Sequence, residues 1–303
     1  MTRARAEERA FPEIALDPDH LRAWIGRESV ATDTVTADLV HRFDATFDAP
    51  GPAPEPGAIA PRFVHFCLAP AVEPMRALGR DGHPARGGFL PPVPLPRRMR
   101  AGGSVVFHGD LRVGDFVERR ARITDVVVKE GLSGRLCFVT VENRFLVGGE
   151  ARISETEDIV YRDDGAAGPG KTPPEAAPGT WSRAQPVTPT TLFRYSAITF
   201  NGHRIHYDRR YAIEVEGYPG LVVHGPIQAT YLYRYAAELR GAPPDRFSFR
   251  ARAPIFDDDA MRLCATETGT GGLRLWSARD GGPVATLAEA DWTPTAEDPG
   301  ERE

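Results

Sequence analysis

Residues 226–239 read PIQATYLYRYAAEL and predict a long helix with one broad apolar face. The positions that share this face follow the spacing i, i+4, i+5, i+8 and i+9: Ile227, Tyr231, Leu232, Tyr235 and Ala236. Three stretches with strand-like patterns follow at 246–269, 271–282 and 283–292, with a hairpin signal at Gly281-Gly282. A curved antiparallel sheet wrapped around one helix buries both patterns, so we expect that arrangement here.

The first half of the chain repeats this order of elements. A helical candidate spans Ala37 to Phe47, and strand-like stretches follow at 103–128, 133–149 and 150–161, around a Gly148-Gly149 hairpin signal. The repeated order predicts an α+β protein in which two antiparallel sheets, each wrapped around a helix, join side by side.

Residues 162–190 separate the two halves. This stretch contains six Pro and four Gly and has almost no apolar periodicity, so we expect a linker that holds no packed element. The predicted domains on either side are 13–161 and 191–294, and both lengths are usual for a domain.

The composition excludes several functional classes. The 303 residues are 41% hydrophobic and 26% charged, and 37 Lys+Arg against 42 Asp+Glu give a formal charge of −5, so we expect no nucleic-acid partner. No apolar stretch approaches the roughly 20 residues of a membrane-spanning helix. The opening residues MTRARAEERAFPE lack the apolar region of a secretory signal. We therefore expect a cytoplasmic protein with no membrane partner.

The three cysteines, Cys67, Cys137 and Cys264, lie far apart in apolar or alternating segments. This placement is typical of reduced thiols that act as small core residues, and it favours neither a disulfide framework nor a zinc site. We expect no structural metal.

The most informative stretch runs from Tyr195 to His224 and leads into the predicted helix. It contains Ala197-Ile198-Thr199-Phe200-Asn201-Gly202-His203-Arg204-Ile205-His206-Tyr207-Asp208, followed later by Val223-His224-Gly225-Pro226. This pattern resembles the signature of MaoC-like hydratases and dehydratases, hot-dog proteins that add water to enoyl thioesters or remove it. The resemblance is carried by the His-Gly pair and five framing positions: Ala197, Thr199, Ile205, His206 and Asp208.

Three inner positions differ from the family pattern. Asn201 stands where the family has its catalytic Asp, and His203 and Arg204 replace Asn-Pro. This variant is most similar to the double hot-dog branch of 3-hydroxyacyl-thioester dehydratases and mesaconyl-CoA or itaconyl-CoA hydratases. The resemblance implies a double hot-dog fold and a hydro-lyase without cofactor. It favours a CoA-linked over a carrier-linked thioester, with a short dicarboxylic acyl-CoA such as mesaconyl-CoA as a candidate, and it allows a homodimer.

The chemistry of hydration explains why such a motif needs these residues. A base must take the proton of water, and a donor must meet the negative charge that grows on the thioester oxygen. We expect His206 to transfer the proton and Asn201 to orient the water through its amide oxygen. At the helix start Pro226 has no N–H, so the backbone donor is Gly225 or a residue after Pro226. An amide cannot accept the proton, so His206 acts alone unless His203 assists.

Five further residues are candidates for substrate contacts: His203, Arg204, Arg194, His224 and Tyr231. The two arginines are included because arginine binds phosphate or carboxylate with two parallel hydrogen bonds. Each candidate also has an ordinary structural interpretation, such as a solvated side chain, a turn contact or core packing. Asn201 in particular would be a good N-cap for a short helical run from Gly202 onward.

The first half carries no comparable motif, so we expect the active site in the second half alone. The first half should close the substrate cleft with apolar loops such as Gly88-Phe89-Leu90-Pro91. Two other functions stay open. Hot-dog proteins are often thioesterases, but this helix begins Gly225-Pro226-Ile227-Gln228, without the Asp or Glu usual there. A non-catalytic thioester-binding module is supported only by Asn201.

Overall fold

The computed structural model describes residues 16–49, 51–131, 134–163 and 173–293. The helices are α1 (Pro18–Arg22), α2 (Ala37–Thr46), α3 (Pro189–Ile198), α4 (Arg209–Glu214) and α5 (Gly225–Arg240). The strands are β1 (Glu28–Thr34), β2 (Arg97–Phe107), β3 (Phe116–Gly131), β4 (Gly134–Val147), β5 (Glu150–Arg162), β6 (Trp181–Ala184), β7 (Arg246–Ala251), β8 (Met261–Glu267), β9 (Leu273–Arg279) and β10 (Val284–Asp291).

All ten strands form one antiparallel sheet in the order β1-β3-β4-β5-β2-β7-β10-β9-β8-β6. The first five strands in this order belong to the first half of the chain and the last five to the second. Strands β2 and β7 pair at the centre, where Val105 lies opposite Phe247. The predicted side-by-side union of two sheets and the predicted α+β class are confirmed.

Helix α5 is the central helix of the second half. It packs against β8, β9 and β10, and its residues Ile227, Leu232 and Ala236 have no exposed surface. The partner strands supply alternating apolar side chains to the same core, because successive residues of a strand point to opposite faces. Gly241 in the left-handed region ends the helix.

Helix α2 of the first half is shorter and covers less of its sheet. It is capped by the Thr36 side chain, as its start at Ala37 predicts, and it packs chiefly against α3. Its side chain Phe43 shares a core with Val117 and Phe145 near one end of the sheet. A second core, built around α1 and the segment with Val93 and Leu95, covers the other end. Between these two cores the concave face of the sheet is open to a cavity.

The range 162–190, predicted as a linker, contains structure that the sequence did not indicate. Residues 164–172 lie outside the described residues, but β6 pairs with β8 as an edge strand, with Trp181 opposite Ala265, and α3 begins at Pro189. The expectation of no packed element is therefore wrong for 181–190, since backbone pairing to an edge needs no apolar pattern. The boundaries at 161 and 191 stay a prediction.

The three cysteines are free and buried, as predicted. None of the helices in the described ranges is long and apolar enough to span a membrane.

Candidate active site

The motif between Tyr195 and Asp208 folds as a helix end, a tight turn and a short 3-10 helix. Helix α3 ends at Ile198, and Phe200 adopts a positive φ of 52° that reverses the chain. The Asn201 Oδ1 atom then accepts a hydrogen bond of 3.0 Å from the His203 backbone N–H, which forms an Asx turn. The 3-10 helix Arg204–His206 starts only after this turn, so the expected N-cap role of Asn201 is corrected to a turn role.

This geometry also changes the predicted role of the Asn201 amide. Its oxygen already accepts from the backbone, whereas the amide nitrogen has no hydrogen-bond partner recorded within the described chain. Asn201 is half-buried and lines the cavity. The nitrogen is thus available to orient a water as a donor, and the oxygen keeps a second lone pair with which it could accept from a water, the role that the sequence suggested.

His206 is held in one ring orientation. Its Nδ1 atom lies 2.7 Å from the Val222 carbonyl oxygen, so Nδ1 carries the proton and Nε2 is left with a free lone pair. The Val222 backbone is itself fixed by a bond from its N–H to the Ile205 carbonyl. Burial lowers the pKa of His206 to about 4, against the opposing effect of the Val222 hydrogen bond. The ring is therefore neutral at pH 7 and can accept a proton.

His224 supports His206 from one side. The two rings stack with their centroids 3.5 Å apart and an interplanar angle of 17°. His224 Nε2 lies 2.9 Å from the Ser196 hydroxyl, and burial, then proximity to His206, lowers its pKa well below the ordinary value. Its Nδ1 atom is buried and has no hydrogen-bond partner among the residues described. His224 thus fixes the plane of the His206 ring.

Helix α5 points its N-terminus at the same place. Gly225 is its first residue and Pro226 its second, so the Gly225 N–H has no acceptor within the helix and Pro226 has no N–H to give. A Cβ atom built on Gly225 would meet nothing within 4 Å. Gly225 therefore leaves open space on the cavity wall, where a ligand oxygen can approach the backbone N–H and the positive end of the helix dipole.

A cavity of about 1610 Å³ joins these groups. Its walls come from both halves of the chain, and they include the four motif residues Asn201, His203, His206 and His224 together with Gly225. On the opposite side the cavity is lined by Gly88, Phe89 and Leu90, in agreement with the expectation that an apolar loop of the first half closes the cleft.

Three of the predicted contact residues have structural roles instead. Arg204 lines the cavity, but its guanidinium pairs with Asp208 at 2.7 Å and lies over the Tyr211 ring. Arg194 is exposed outside the cavity lining and donates to the Ala45 carbonyl. Tyr231 lies in the core against the Phe47 ring, 5.1 Å between centroids. Predicted substrate contacts at Arg194 and Tyr231 are therefore corrected, because neither side chain reaches the cavity.

Gln228, one turn into α5, is held by the sheet. Its Oε1 atom accepts hydrogen bonds from the Ser277 hydroxyl at 2.7 Å and the Thr286 hydroxyl at 2.9 Å. The amide is buried and fully engaged, so it ties the helix to β9 and β10. The start of α5 thus carries a structural amide and no carboxylate over residues 225–228.

Sequence reasoning missed a loop of the first half, residues 79–84, that docks onto the motif. The Arg204 N–H donates to the Asp81 carbonyl at 2.9 Å, and the backbones of Gly82 and Gly202 are in close approach. The loop places His83 against His203, with ring centroids 4.1 Å apart. The Asp-Gly-His-Pro sequence of this loop carries no signal that it meets a motif more than a hundred residues away.

We expect Gly82→Ala to lower the activity more than the stability. Gly82 has φ +86°, and an added Cβ would lie 1.9 Å from the Gly202 carbonyl oxygen, so the loop must move away from the motif. A displacement of about 1 Å at a site costs roughly 10²-fold in rate. Gly57→Ala is the matched control, because Gly57 has φ +83° but open space around its Cβ. Thermal unfolding and kcat of both variants check this, and equal activities would contradict it.

Comparisons with known proteins agree with this geometry. The family model "Hydroxyacyl-thioester dehydratase type 2" matches residues 63–257. Mesaconyl-C(4)-CoA hydratase of Chloroflexus aurantiacus is 43% identical over 249 residues, 82% of this chain and 89% of that protein. The mitochondrial hydroxyacyl-thioester dehydratase type 2 of Schizosaccharomyces pombe is 40% identical over 98 residues, 30% of each chain.

Solved structures support the fold. A MaoC-like dehydratase from Phytophthora capsici superposes with a TM-score of 0.67 at 15% identity, over 92% of this chain and 100% of that chain. A second MaoC-like dehydratase gives a TM-score of 0.66 at 14% identity, over 90% and 100%. The double hot-dog architecture that the sequence predicts is thereby confirmed.

Proposed function

The chain belongs to the hydroxyacyl-thioester dehydratase type 2 family, and from this premise we propose that its substrate is an enoyl-CoA with a second carboxylate, such as mesaconyl-C4-CoA. The protein is a hydro-lyase that adds water to an enoyl thioester or removes it from a 3-hydroxyacyl thioester. The observation that carries the chemistry is the pairing, in one cavity, of the unprotonated His206 Nε2 with the open N-terminus of α5.

The proposed reaction uses two groups of the second half. In hydration, water transfers a proton to His206 Nε2 while its oxygen forms a bond to C3, and the electron pair of the double bond moves toward the thioester oxygen. The Gly225 N–H donates to that oxygen. The protonated His206 then gives the proton to C2, which restores the neutral ring, and dehydration is the reverse sequence. Asn201 Nδ2 donates to the oxygen of the water and fixes its position.

The charge of the cavity supports an anionic substrate. Arginines line it on several sides: Arg98, Arg100, Arg119, Arg162 and Arg252. Arg100 contacts Glu155, so that charge is already balanced. The Nε atoms of Arg119 and Arg162 are buried and without a hydrogen-bond partner among the described residues, and no ion pair is seen for Arg119 there. A carboxylate in the acyl group would satisfy such a guanidinium, and the relative with 43% identity is named for a substrate of this class.

An assay with two readouts tests the function. Purified protein is given mesaconyl-C4-CoA or crotonyl-CoA while enoyl absorbance and free thiol are followed together. A hydratase lowers the absorbance without releasing thiol, and we expect mesaconyl-C4-CoA to be the better substrate. Thiol release would assign a thioesterase, and no change with either substrate would assign a binding module. Preference for CoA over a carrier protein, and a homodimer, stay predictions.

We expect Arg119→Gln to separate the two substrates. Loss of the guanidinium should lower kcat/KM for mesaconyl-C4-CoA by roughly 10- to 100-fold, the cost of one charged hydrogen bond, and leave crotonyl-CoA largely unaffected. Arg122→Gln is the matched control, since Arg122 lies exposed on the same strand outside the cavity. Equal losses for both substrates would show that Arg119 does not select the carboxylate.

A further inference from the structure

A line of imidazoles crosses the boundary between the two halves of the protein. His83 comes from the loop 79–84 of the first half, and His203, His206 and His224 come from the second. Ring centroids are 4.1 Å apart for His83 and His203, 5.2 Å for His203 and His206, and 3.5 Å for His206 and His224. His83, His203 and His206 all line the cavity.

A carboxylate stands at the outer end of this line. Asp81 Oδ2 lies 3.0 Å from His83 Nδ1, and Asp81 Oδ1 accepts from the His83 backbone N–H at 3.1 Å. Burial opposes the ionisation of Asp81, but the hydrogen bonds that its carboxylate accepts from His83, together with the nearby charge of Arg98, outweigh burial and lower its pKa to about 2. Burial lowers the pKa of His83, although Asp81 acts in the opposite direction. An ionised Asp81 therefore holds the Nδ1–H of a neutral His83, and no hydrogen bond to His83 Nε2 is seen from the residues that the structure describes.

The first half thus brings a carboxylate–imidazole pair to a site whose own motif has lost its carboxylate. Asn201 stands where the MaoC-like pattern that the sequence resembles has Asp, and its amide has no charge to offset a protonated His206. When His206 takes the proton of water, the ring becomes positive in a buried place, and burial disfavours that charge. A negative group near the cluster lowers the barrier to this proton transfer.

We propose that Asp81 and His83 are positioning residues of this active site, and that the charge of Asp81, carried toward His206 through His83 and His203, replaces the carboxylate missing at Asn201. This inference rests on the proposed function. The proton balance is unchanged: water loses the proton to His206, C2 receives it, and the pair stabilises the charged intermediate state. Cations also face the pair. After burial, the charges of Arg98 and Arg86 lower the pKa of His83, and Arg98 also lowers the pKa of Asp81, which favours the ionised carboxylate.

Asp81→Asn tests the proposal with little change of shape. The amide keeps one oxygen, which can accept from the His83 backbone N–H, and places an NH2 group beside His83 Nδ1. The substitution therefore removes the charge and moves the ring proton of His83 to Nε2. On the enoyl-CoA that the wild type hydrates fastest, we expect kcat to fall by roughly 10²-fold, the lower range for an acid–base contribution, while KM stays nearly constant. Asp125→Asn, an exposed carboxylate outside the cavity, is the matched control and should retain full activity.

A second substitution distinguishes charge from structure. Asn201→Asp in the Asp81→Asn background should recover part of the lost kcat, because it restores a carboxylate beside the imidazoles, whereas Asn201→Asp alone should not raise the wild-type rate. A wild-type kcat in Asp81→Asn, or a loss of kcat that Asn201→Asp does not relieve, would overturn the proposal. If the wild type hydrates no enoyl-CoA, the proposed function itself fails.

A metal ion bound by these residues is the remaining outcome that the experiments must test. Ligand atoms of Asp81, His83 and His203 lie within 4.8 Å of one another, a spacing at which they could hold an ion. Metal analysis of the purified wild type therefore accompanies the kinetics. Stoichiometric zinc, with turnover that a chelator abolishes and zinc restores, would assign these residues to a metal site and overturn the charge-stabilising role. Full turnover after chelation supports it.

Discussion

Replacing His206 by alanine should lower kcat by roughly 10²–10⁴-fold, the usual contribution of a general acid–base group. The ring is the proposed proton acceptor, and the Asn201 amide cannot replace it, because an amide does not take a proton. The wild-type rate should also hold as the pH falls below the ordinary imidazole range, since the base stays neutral until the pH approaches its pKa of about 4. Steady-state kcat of the variant and of the wild type, measured across the pH range, checks both the loss of rate and the wild-type pH dependence.

A second variant at the same position separates chemistry from folding. His206→Asn retains a donor near the place of Nδ1 for the Val222 carbonyl and lacks Nε2, so its thermal stability should exceed that of His206→Ala at an equally low kcat. His41→Ala, an exposed histidine on α2, is the control. Wild-type turnover in both His206 variants, with His203→Ala inactive, would place the base on His203 instead.

Gly225→Ala should lower kcat/KM by roughly 10²-fold without lowering the melting temperature. The new methyl group meets no protein atom within 4 Å, so the fold accommodates it, and alanine suits the first turn of a helix at least as well as glycine. The methyl instead occupies the space through which the thioester oxygen reaches the backbone N–H. Kinetics and thermal unfolding of the same preparation provide the check.

Gly269→Ala is a suitable comparison for this variant. Gly269 is exposed, and its added Cβ also meets nothing within 4 Å, so the substitution is the same but distant from the cavity. We expect it to be fully active. If Gly225→Ala were as active as Gly269→Ala, the open N-terminus of α5 would not be the place where the thioester oxygen binds.

Much of the fold follows from local patterns. The apolar face of α5 and the alternating strands predict the fold of the second half, because each pattern has one way to bury its apolar side. The repeated order of elements predicts the fold of the first half. The edge strands β1 and β6 were not predicted. Both are short, and their residues alternate between exposed and half-buried, so their pairing depends on a neighbouring strand rather than on their own sequence.

The candidate site likewise contains residues that the sequence predicted and residues that it did not. The motif located His206, Asn201 and Gly225 because their spacing is set by a helix end, a turn and a helix start within one stretch of chain. The position of Asp81 depends on how two halves dock, and local sequence contains no such information. Arg204 is the opposite case. It lies within the motif and was predicted to contact the substrate, but its guanidinium pairs with Asp208 and lies over the Tyr211 ring.

The most direct test of the central claim is the fate of water oxygen in the reaction. Mesaconyl-C4-CoA is incubated with the protein in oxygen-labelled water, and the acyl-CoA pool is analysed by mass spectrometry. We expect an intact CoA thioester that has gained one labelled water, with the label in a hydroxyl group. Free CoA together with label in a newly released carboxylate, or an unchanged thioester, would contradict it.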